Sequence, residues 1–318
     1  MIEHSVVRHC RAAVIRDRLA AMKIGLSVRV DGPLPTVLQE IEDAATAGFA
    51  GVWIGEINLW DPLTVFAALG GRAPGIELGT AVVAVPPRHP LTLASQVLTT
   101  QAATGGRLAL GLGMSHRFVV QERYGLPFDR PARRVREFLD VLEPVLDGAE
   151  ARAVGATVVG FGGVGAPGAT RPPVLLAAHG PRMLALAGER ADGVITLWSR
   201  PDYVAEHVVP AVTAAGRAPR IVLGVNACVT SDPDAARRDV AERLAVASTL
   251  PSYRETLDRQ GAAGIEDTIL AGDESVVAEE VRRFAEAGVT DLVLFPSGPT
   301  ADHDRTTAFF AELARSAR

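Results

Sequence analysis

The segment Ala177–Met183 (AAHGPRM) has the residue types of an anion-binding turn from strand to helix. It ends an apolar, strand-like run, and its small residues let a ligand approach the backbone. Pro181 suits the first turn of a helix, where free N–H groups and the helix dipole favour a phosphate. Arg182 would add a charge-assisted hydrogen bond. A plain strand-to-helix turn also contains such a glycine, so spacing alone leaves both interpretations open.

A second candidate is the alternating pair of glycines in Leu110–Gly113 (LGLG), at the end of another strand-like run. Residues without side chains leave a flat floor for a planar ligand. The alternative is close packing of the strand against a neighbouring element, which by itself is the better explanation of this pattern.

Several other kinds of chemistry find no support in the sequence. It contains no GxSxG elbow and no phosphate-binding P-loop. Ser115 and His116 are adjacent, so their side chains diverge and a hydrolytic dyad is not expected. His89, His116 and His179 follow different strand-like runs, with no carboxylate neighbour to orient them. We therefore expect no metal site.

These residues need a scaffold in which strands and helices alternate. Eight apolar runs are typical of buried parallel strands, and helical patterns separate most of them. The predicted fold class is α/β, a (β/α)8 TIM barrel with a glycine-rich insertion, Gly155–Gly168, before the fifth strand. A doubly wound open sheet is the alternative, but it usually has fewer strands and a GxGxxG turn after the first. The predicted strands are Lys23–Val28, Val52–Gly55, Ile76–Val83, Arg107–Leu112, Val174–Ala178, Gly193–Leu197, Ile221–Val229 and Asp291–Phe295.

Composition limits the partners and the compartment. The chain has 318 residues and a formal net charge of −5, so no bulk attraction to nucleic acid or to an anionic membrane is expected. No apolar run approaches the roughly 20 residues that span a bilayer. Two cysteines, Cys10 and Cys228, without metal-binding spacing indicate a reduced, cytoplasmic protein. Residues 1–21 are interpreted as a frayed or disordered N-terminal extension, and 22–318 as one domain.

Five stretches resemble the luciferase-like monooxygenase superfamily, and more closely its branch that uses coenzyme F420, an 8-hydroxy-5-deazaflavin. They are GVWIGE at 51–56, GTAVVAVPPRHPLTLASQ at 79–96, TGGRLALGLGMSH at 104–116, YGLPFDRPARRVREFLDVL at 124–142 and PVLLAAHGPRMLALAGERADGVIT at 173–196. The resemblance covers nearly everything from Lys23 to Phe295. It implies a (β/α)8 barrel that acts on a small molecule and, from the habit of the family, a homodimer.

The resemblance also implies where the cofactor binds. It implies a cis peptide bond between Ala81 and Val82, in a bulge that backs the deazaflavin ring. The floor at 111–115, which includes Gly113 and Ser115, would border that ring. The cofactor phosphate would lie against Ala177, Ala178, His179, Gly180 and Pro181. The acidic cofactor tail would extend toward basic residues such as Arg88, Arg117 or Arg182.

The sequence departs from relatives that oxidise a sugar phosphate. Their Asp-His pair is Glu56 and Ile57 here, and their glutamate is His116, so a sugar-phosphate substrate is not expected. We expect His116 to be the general acid or base, because its unperturbed pKa suits neutral pH; the alternative is a histidine that only hydrogen-bonds the cofactor tail. Glu56 would orient the deazaflavin or relay a proton, or only form a salt bridge. Trp60 and Trp198 would line the substrate pocket, or only pack at the barrel mouth.

The resemblance thus implies hydride transfer between coenzyme F420 and a small, largely apolar organic substrate with a C=C, C=N or C=O bond. One alternative is an FMN-dependent monooxygenase that uses oxygen, and another is a non-catalytic flavin-binding barrel. The helical region Pro233–Gly261 is interpreted as outer packing rather than as a lid or an oligomer contact.

Overall fold

The computed structural model describes residues 22–57 and 59–317, so the predicted N-terminal extension lies outside the described residues. The strands are β1 Lys23–Ser27, β2 Gly51–Ile54, β3 Glu77–Thr80, β4 Val83–Ala84, β5 Leu108–Gly113, β6 Ala151–Val154, β7 Val159–Gly162, β8 Val174–Ala177, β9 Gly193–Leu197, β10 Arg220–Val229, β11 Leu270–Gly272 and β12 Asp291–Pro296. The helices are α1 Leu34–Ala47, α2 Pro62–Leu69, α3 Pro90–Ala103, α4 Pro131–Leu146, α5 Pro181–Arg190, α6 Pro201–Tyr203, α7 Val209–Thr213, α8 Pro233–Arg243, α9 Ala245–Thr249, α10 Pro251–Arg259, α11 Glu274–Ala287 and α12 His303–Ser316. Within these described ranges, no helix is both long and apolar enough to cross a membrane.

Eight parallel strands close into a barrel, in the order β1, β2, β3, β5, β8, β9, β10 and β12, with β12 paired back to β1. The predicted (β/α)8 barrel is therefore confirmed. Its interior is filled by strand side chains such as Trp53, Leu175 and Val293, which form one cluster. A larger apolar cluster lies between the strands and the surrounding helices. The barrel is thus a packed core, and space for a ligand is left only at its ends.

The third predicted strand is divided. β3 ends at Thr80, the peptide bond between Ala81 and Val82 is cis, and β4 begins at Val83. The cis bond is the one that the family resemblance implies. β3 and β4 both pair with β5, so the break displaces Ala81 and Val82 from the regular ladder without opening the barrel.

The glycine-rich insertion before β8 contains β7, which forms an antiparallel hairpin with β6, the strand directly before the insertion. It is fastened to α4, because both the backbone N–H and the hydroxyl of Thr157 donate to Glu137 Oε2 at 2.6 Å. A side chain at Gly160 would meet Val141 at 2.5 Å, so the hairpin packs closely on that helix. The predicted insertion is therefore a structural cover on the outside of the barrel.

The region Pro233–Gly261 was predicted as outer packing, and the structure divides it into α8, α9 and α10. Apolar side chains of α8 and α10, such as Val240 and Leu257, pack in a second cluster beside the barrel. The start of α10 instead returns to the barrel mouth. The short strand β11, which pairs with the end of β10, was missed because only three residues form it.

The base of the barrel is closed by charged side chains. Arg220 donates to Glu77 Oε1 at 2.7 Å and also to both oxygens of Asp291, which is only 6% exposed. Burial of these charges is tolerated because each carboxylate faces the guanidinium. Asp291 and Glu77 begin two strands on opposite sides of β1 and β2, so one arginine joins several strands of the barrel.

We predict that Arg220→Met lowers the free energy of unfolding by about 3 kcal/mol, because it leaves the buried Asp291 without its cation and leaves Glu77 with only Lys23, 3.5 Å away. Arg152→Met is the matched control, since the pair of Arg152 with Glu150 is exposed and spans 3.4 Å. Urea unfolding measures both. Equal midpoints for wild type and Arg220→Met would contradict this account of the barrel base.

Candidate active site

A cavity of about 490 Å³ opens at the carboxyl ends of the barrel strands. Nine residues expected to bind the cofactor or to act in catalysis line it. They are Glu56, Ala81, Val82, Gly113, Ser115, His116, Ala177, His179 and Gly180. The structure therefore brings together residues from four separate segments of the chain, and the volume suits one small-molecule site.

The cavity wall is built from small residues because the strand ends approach one another closely. A side chain at Gly113 would meet Val82 at 2.6 Å and Ala177 at 3.2 Å. A side chain at Gly111, in contrast, would begin only 2.0 Å from the carbonyl oxygen of Thr80, so Gly111 lies directly against that strand. Of the two glycines predicted as a floor, Gly113 borders the cavity and Gly111 serves strand packing.

The corner between β8 and α5 is open toward a ligand. Gly180 is the N-cap of α5, no side chain caps that helix end, and a side chain at Gly180 would meet no atom within 4 Å. The first N–H groups of a helix lack partners within it, so this end can receive an anion. His179 lies beside it, and its buried Nδ1 has no hydrogen-bond partner among the described residues. A bound polar group would satisfy both.

The electrostatics of His179 follow from its surroundings. Burial, and then the nearby His116, lower the pKa of His179 from 6.5 to about 4. Burial also lowers the pKa of His116. Both imidazoles are therefore neutral near pH 7, and each has one nitrogen that donates and one that accepts.

Glu56 is fixed by a network at the end of β2. Its Oε2 accepts from the Ala84 N–H at 2.7 Å, and both of its oxygens accept from Arg88 Nη1, at 2.8 and 2.9 Å. Arg88 also donates to Asp61, 3.0 Å away. Glu56 therefore makes the salt bridge that the sequence left as an alternative. Arg88, expected to receive the acidic tail, is instead engaged by two carboxylates.

A tyrosine joins the two histidines at the mouth of the cavity. The ring of Tyr253 lies edge-on to His116 at 5.1 Å, to His179 at 5.0 Å and to Trp198 at 4.5 Å between centroids. Burial raises the pKa of Tyr253 to about 12, so its hydroxyl stays protonated. Sequence reasoning missed this residue, because the pattern of its segment is that of an ordinary packing helix.

Several predicted residues lie outside the cavity wall. Ala178 is buried behind it, while Pro181 and Arg182 are exposed on the first turn of α5. The indole of Trp60 donates to the Gly32 carbonyl at 2.8 Å, and that side chain is 44% exposed. Trp198 stands behind Tyr253 and does not reach the wall. Aromatic residues that sequence reasoning did not select take their place: Phe118, Tyr124, Phe128 and Tyr253.

Two arginines, Arg117 and Arg182, are next in sequence to residues that line the cavity. The guanidinium of Arg117 lies 4.9 Å from the centroid of the Phe128 ring. Arg117 and Arg182 form no ion pair with the residues that the structure describes. Within 22–57 and 59–317, no group of three or more metal-ligating side chains is placed to hold a metal ion.

The closed barrel has, at the carboxyl ends of its strands, a helix N-terminus that can bind an anion and uncharged histidine and tyrosine side chains. This is the architecture of a barrel enzyme that acts on small molecules. The sequence pattern of the luciferase-like monooxygenase family matches residues 19–291. The chain belongs to this family.

Two curated relatives illustrate the similarity. A Mycobacterium tuberculosis protein whose name assigns it to the coenzyme F420-dependent oxidoreductases is 32% identical over 199 residues, 57% of this chain and 57% of that protein. The alignment thus spans somewhat more than half of that relative. The 5,10-methylenetetrahydromethanopterin reductase of Methanolobus tindarius is 28% identical over 264 residues, 79% of this chain and 80% of the reductase.

Solved structures share the fold. The coenzyme F420-dependent tetrahydromethanopterin reductase from Methanopyrus kandleri superposes with a TM-score of 0.78 at 23% identity, covering 92% of this chain and 98% of the reductase. An F420-dependent secondary alcohol dehydrogenase superposes with a TM-score of 0.76 at 17% identity, covering 93% of this chain and 99% of the dehydrogenase. The oxygenating component of a Pseudomonas putida 3,6-diketocamphane monooxygenase, in complex with FMN, superposes with a TM-score of 0.73 at 18% identity. The superposition covers 93% of this chain and 98% of that component.

The low pKa of His179 predicts a loss of stability in acid. The unfolded chain takes up a proton on this side chain below pH 6.5, whereas the folded chain takes it up only near pH 4. The free energy of unfolding therefore decreases as the pH is lowered, and this one group accounts for about 2 kcal/mol between pH 7 and pH 5. Urea unfolding of wild type and His179→Gln at both pH values measures it, and we expect a smaller fall in the variant. An NMR titration that gives a pKa near 6.5 for His179 would contradict the prediction.

Proposed function

We propose that the protein is a coenzyme F420-dependent oxidoreductase that transfers a hydride to or from a small, largely apolar organic substrate. The observation that carries this proposal is the corner at the start of α5. There the α5 end without a side-chain cap and the open position at Gly180 face one cavity together with the buried Nδ1 of His179, which has no hydrogen-bond partner in the described part of the chain. These are the features that a phosphate with a redox ring attached to it requires.

The residues present fit such a group. The phosphate would lie against the 177–181 turn, and the ring would lie on the wall that Ala81, Val82 and Gly113 form together. A side chain at Gly113 would collide with Val82 at 2.6 Å, so this part of the wall requires glycine. When bound, the deazaflavin supplies a carbon that gives or accepts a hydride and reacts poorly with oxygen.

The chain supplies orientation and a proton. The Ala84 N–H and Arg88 hold the Glu56 carboxylate in one place, and Asp61 holds Arg88. From this position Glu56 would orient the cofactor. His116, neutral near pH 7 and facing the same cavity, would donate or accept the proton that accompanies the hydride. Its neutral state follows from its burial.

The cofactor preference rests on the charges at the mouth. An acidic tail would meet Arg117 and Arg182, which no described carboxylate neutralises. Names of relatives that refer to F420 support the same choice. We further propose a cytoplasmic location, from the cysteine usage, and a homodimer, from the habit of the family.

FMN is the second candidate cofactor, because a barrel of the same fold is complexed with it. The corner at Gly180 would accept the phosphate of either cofactor. In that case the protein would be a monooxygenase that uses oxygen. A flavin-binding barrel without turnover would retain ligand tightly and show no steady-state reaction.

We predict that the full chain, titrated with F420 and separately with FMN, binds F420 with micromolar affinity and binds FMN more weakly. Gly180→Val should weaken F420 binding by about tenfold or more, equivalent to ~1.4 kcal/mol, because the new side chain occupies the open corner. Gly71→Val is the matched control, since a side chain there also meets no atom and lies in the turn after α2. The change in cofactor fluorescence on binding measures the affinities of wild type, Gly180→Val and Gly71→Val.

Two results would count against the proposal. Binding of FMN without any response to F420 would overturn the choice of cofactor. Equal F420 affinities for wild type and Gly180→Val would remove the corner from the binding site.

A further inference from the structure

Tyr253 is a polar residue for which the proposed function gives no task. It lies in the first turn of α10 and faces the cavity together with Ser252. Its ring contacts both cavity histidines, His116 and His179. Its hydroxyl forms no hydrogen bond with any residue that the structure describes, and the side chain is half-buried at the cavity.

The position of Tyr253 is set by the barrel itself. Gln260, directly after α10, donates to the Trp198 carbonyl at 2.8 Å and accepts from the Arg200 N–H at 2.8 Å. The Trp198 indole, against which Tyr253 packs, donates to Asn226 Oδ1 at 2.6 Å. The helix is thus tied to the ends of β9 and β10, and Tyr253 is a fixed part of the cavity wall.

The cavity wall is mostly apolar, with a few polar side chains. Among the described residues that line it, Glu56 is the only carboxylate, and Arg88 neutralises it. The other polar side chains of the wall are two imidazoles, two tyrosine hydroxyls and two serine hydroxyls. A ligand that enters the cavity displaces water from these hydroxyls, so a ligand that replaces the lost hydrogen bond gains affinity. An uncharged ligand with a hydrogen-bond acceptor fits these groups.

We propose that Tyr253 is a specificity-determining residue whose hydroxyl, beside His116, donates a hydrogen bond to the heteroatom of an uncharged C=O or C=N group in the substrate. This inference rests on the proposed function and narrows it. It selects ketones, aldehydes and imines over isolated alkenes, which have no acceptor atom. It also disfavours substrates that carry a carboxylate or phosphate at the reacting end.

The physical basis is the asymmetry of polar recognition. A site built around a hydrogen-bond donor rejects an analogue without the acceptor, because the donor is then left buried and unpaired. Removing the hydroxyl should therefore abolish the preference for the polar ligand without weakening the binding of the apolar one. If Tyr253 served packing alone, removing its hydroxyl would weaken the binding of both ligands equally.

The test uses the full chain saturated with oxidised F420, which cannot reduce the probe. Cyclohexanone and its apolar isostere methylenecyclohexane are titrated by calorimetry. We expect wild type to bind the ketone about fivefold or more tightly than the alkene. Tyr253→Phe should bind both probes with the affinity that wild type has for the alkene. Tyr203→Phe, which alters a buried tyrosine away from the cavity, should behave as wild type.

The contrary outcomes are distinct. A wild-type protein that binds the ketone no more tightly than the alkene, or Tyr253→Phe with the wild-type preference retained, overturns the inference. Normal F420 binding in that experiment leaves the proposed function standing. If F420 fails to bind, the proposed function fails, and the same titrations without cofactor still decide the role of Tyr253.

Discussion

The close approach of backbones at the carboxyl end of the barrel determines what the site can hold. Where strands end within van der Waals distance of one another, only residues with little or no side chain fit, and Gly113 between Val82 and Ala177 is the clearest case. At Gly180, in contrast, a side chain would meet no atom within 4 Å, so the backbone there is open. Backbone N–H groups, rather than long side chains, thus become the surface offered to a ligand.

A second constraint is the shortage of charge inside the cavity. Glu56 and Arg88 neutralise each other, and burial keeps both histidines and Tyr253 uncharged near neutral pH. Interactions inside such a site are strong because little water competes for them, and an unpaired polar group there is costly. The site is therefore suited to ligands that satisfy neutral donors, with the arginines at its mouth left for an acidic extension.

The sequence predicted the parts that depend on local pattern. The barrel followed from eight apolar runs, and the corner at Gly180 followed from a glycine and a proline at a strand end, because both signals act over a few residues. The cis bond at Ala81–Val82 was implied only by family resemblance, since no local rule indicates it. The sequence therefore predicted one continuous strand, Ile76–Val83, and not its division into β3 and β4.

The parts that the sequence did not predict depend on contacts between distant residues. Arg88 was expected to be free, because nothing in the linear chain shows that Glu56 and Asp61 converge on it. Trp60 was expected in the pocket, but its indole is held by the carbonyl of Gly32. Tyr253 belongs to a helical region whose pattern indicates packing, and only the fold brings the start of α10 to the cavity.

A crystal structure of the protein with bound F420 tests the central claim most directly. The account predicts the cofactor phosphate at the start of α5, with an oxygen about 2.7–3.2 Å from the backbone nitrogen of Gly180 or from the His179 imidazole. A phosphate bound elsewhere, with this corner left to solvent or filled by side chains, would contradict it.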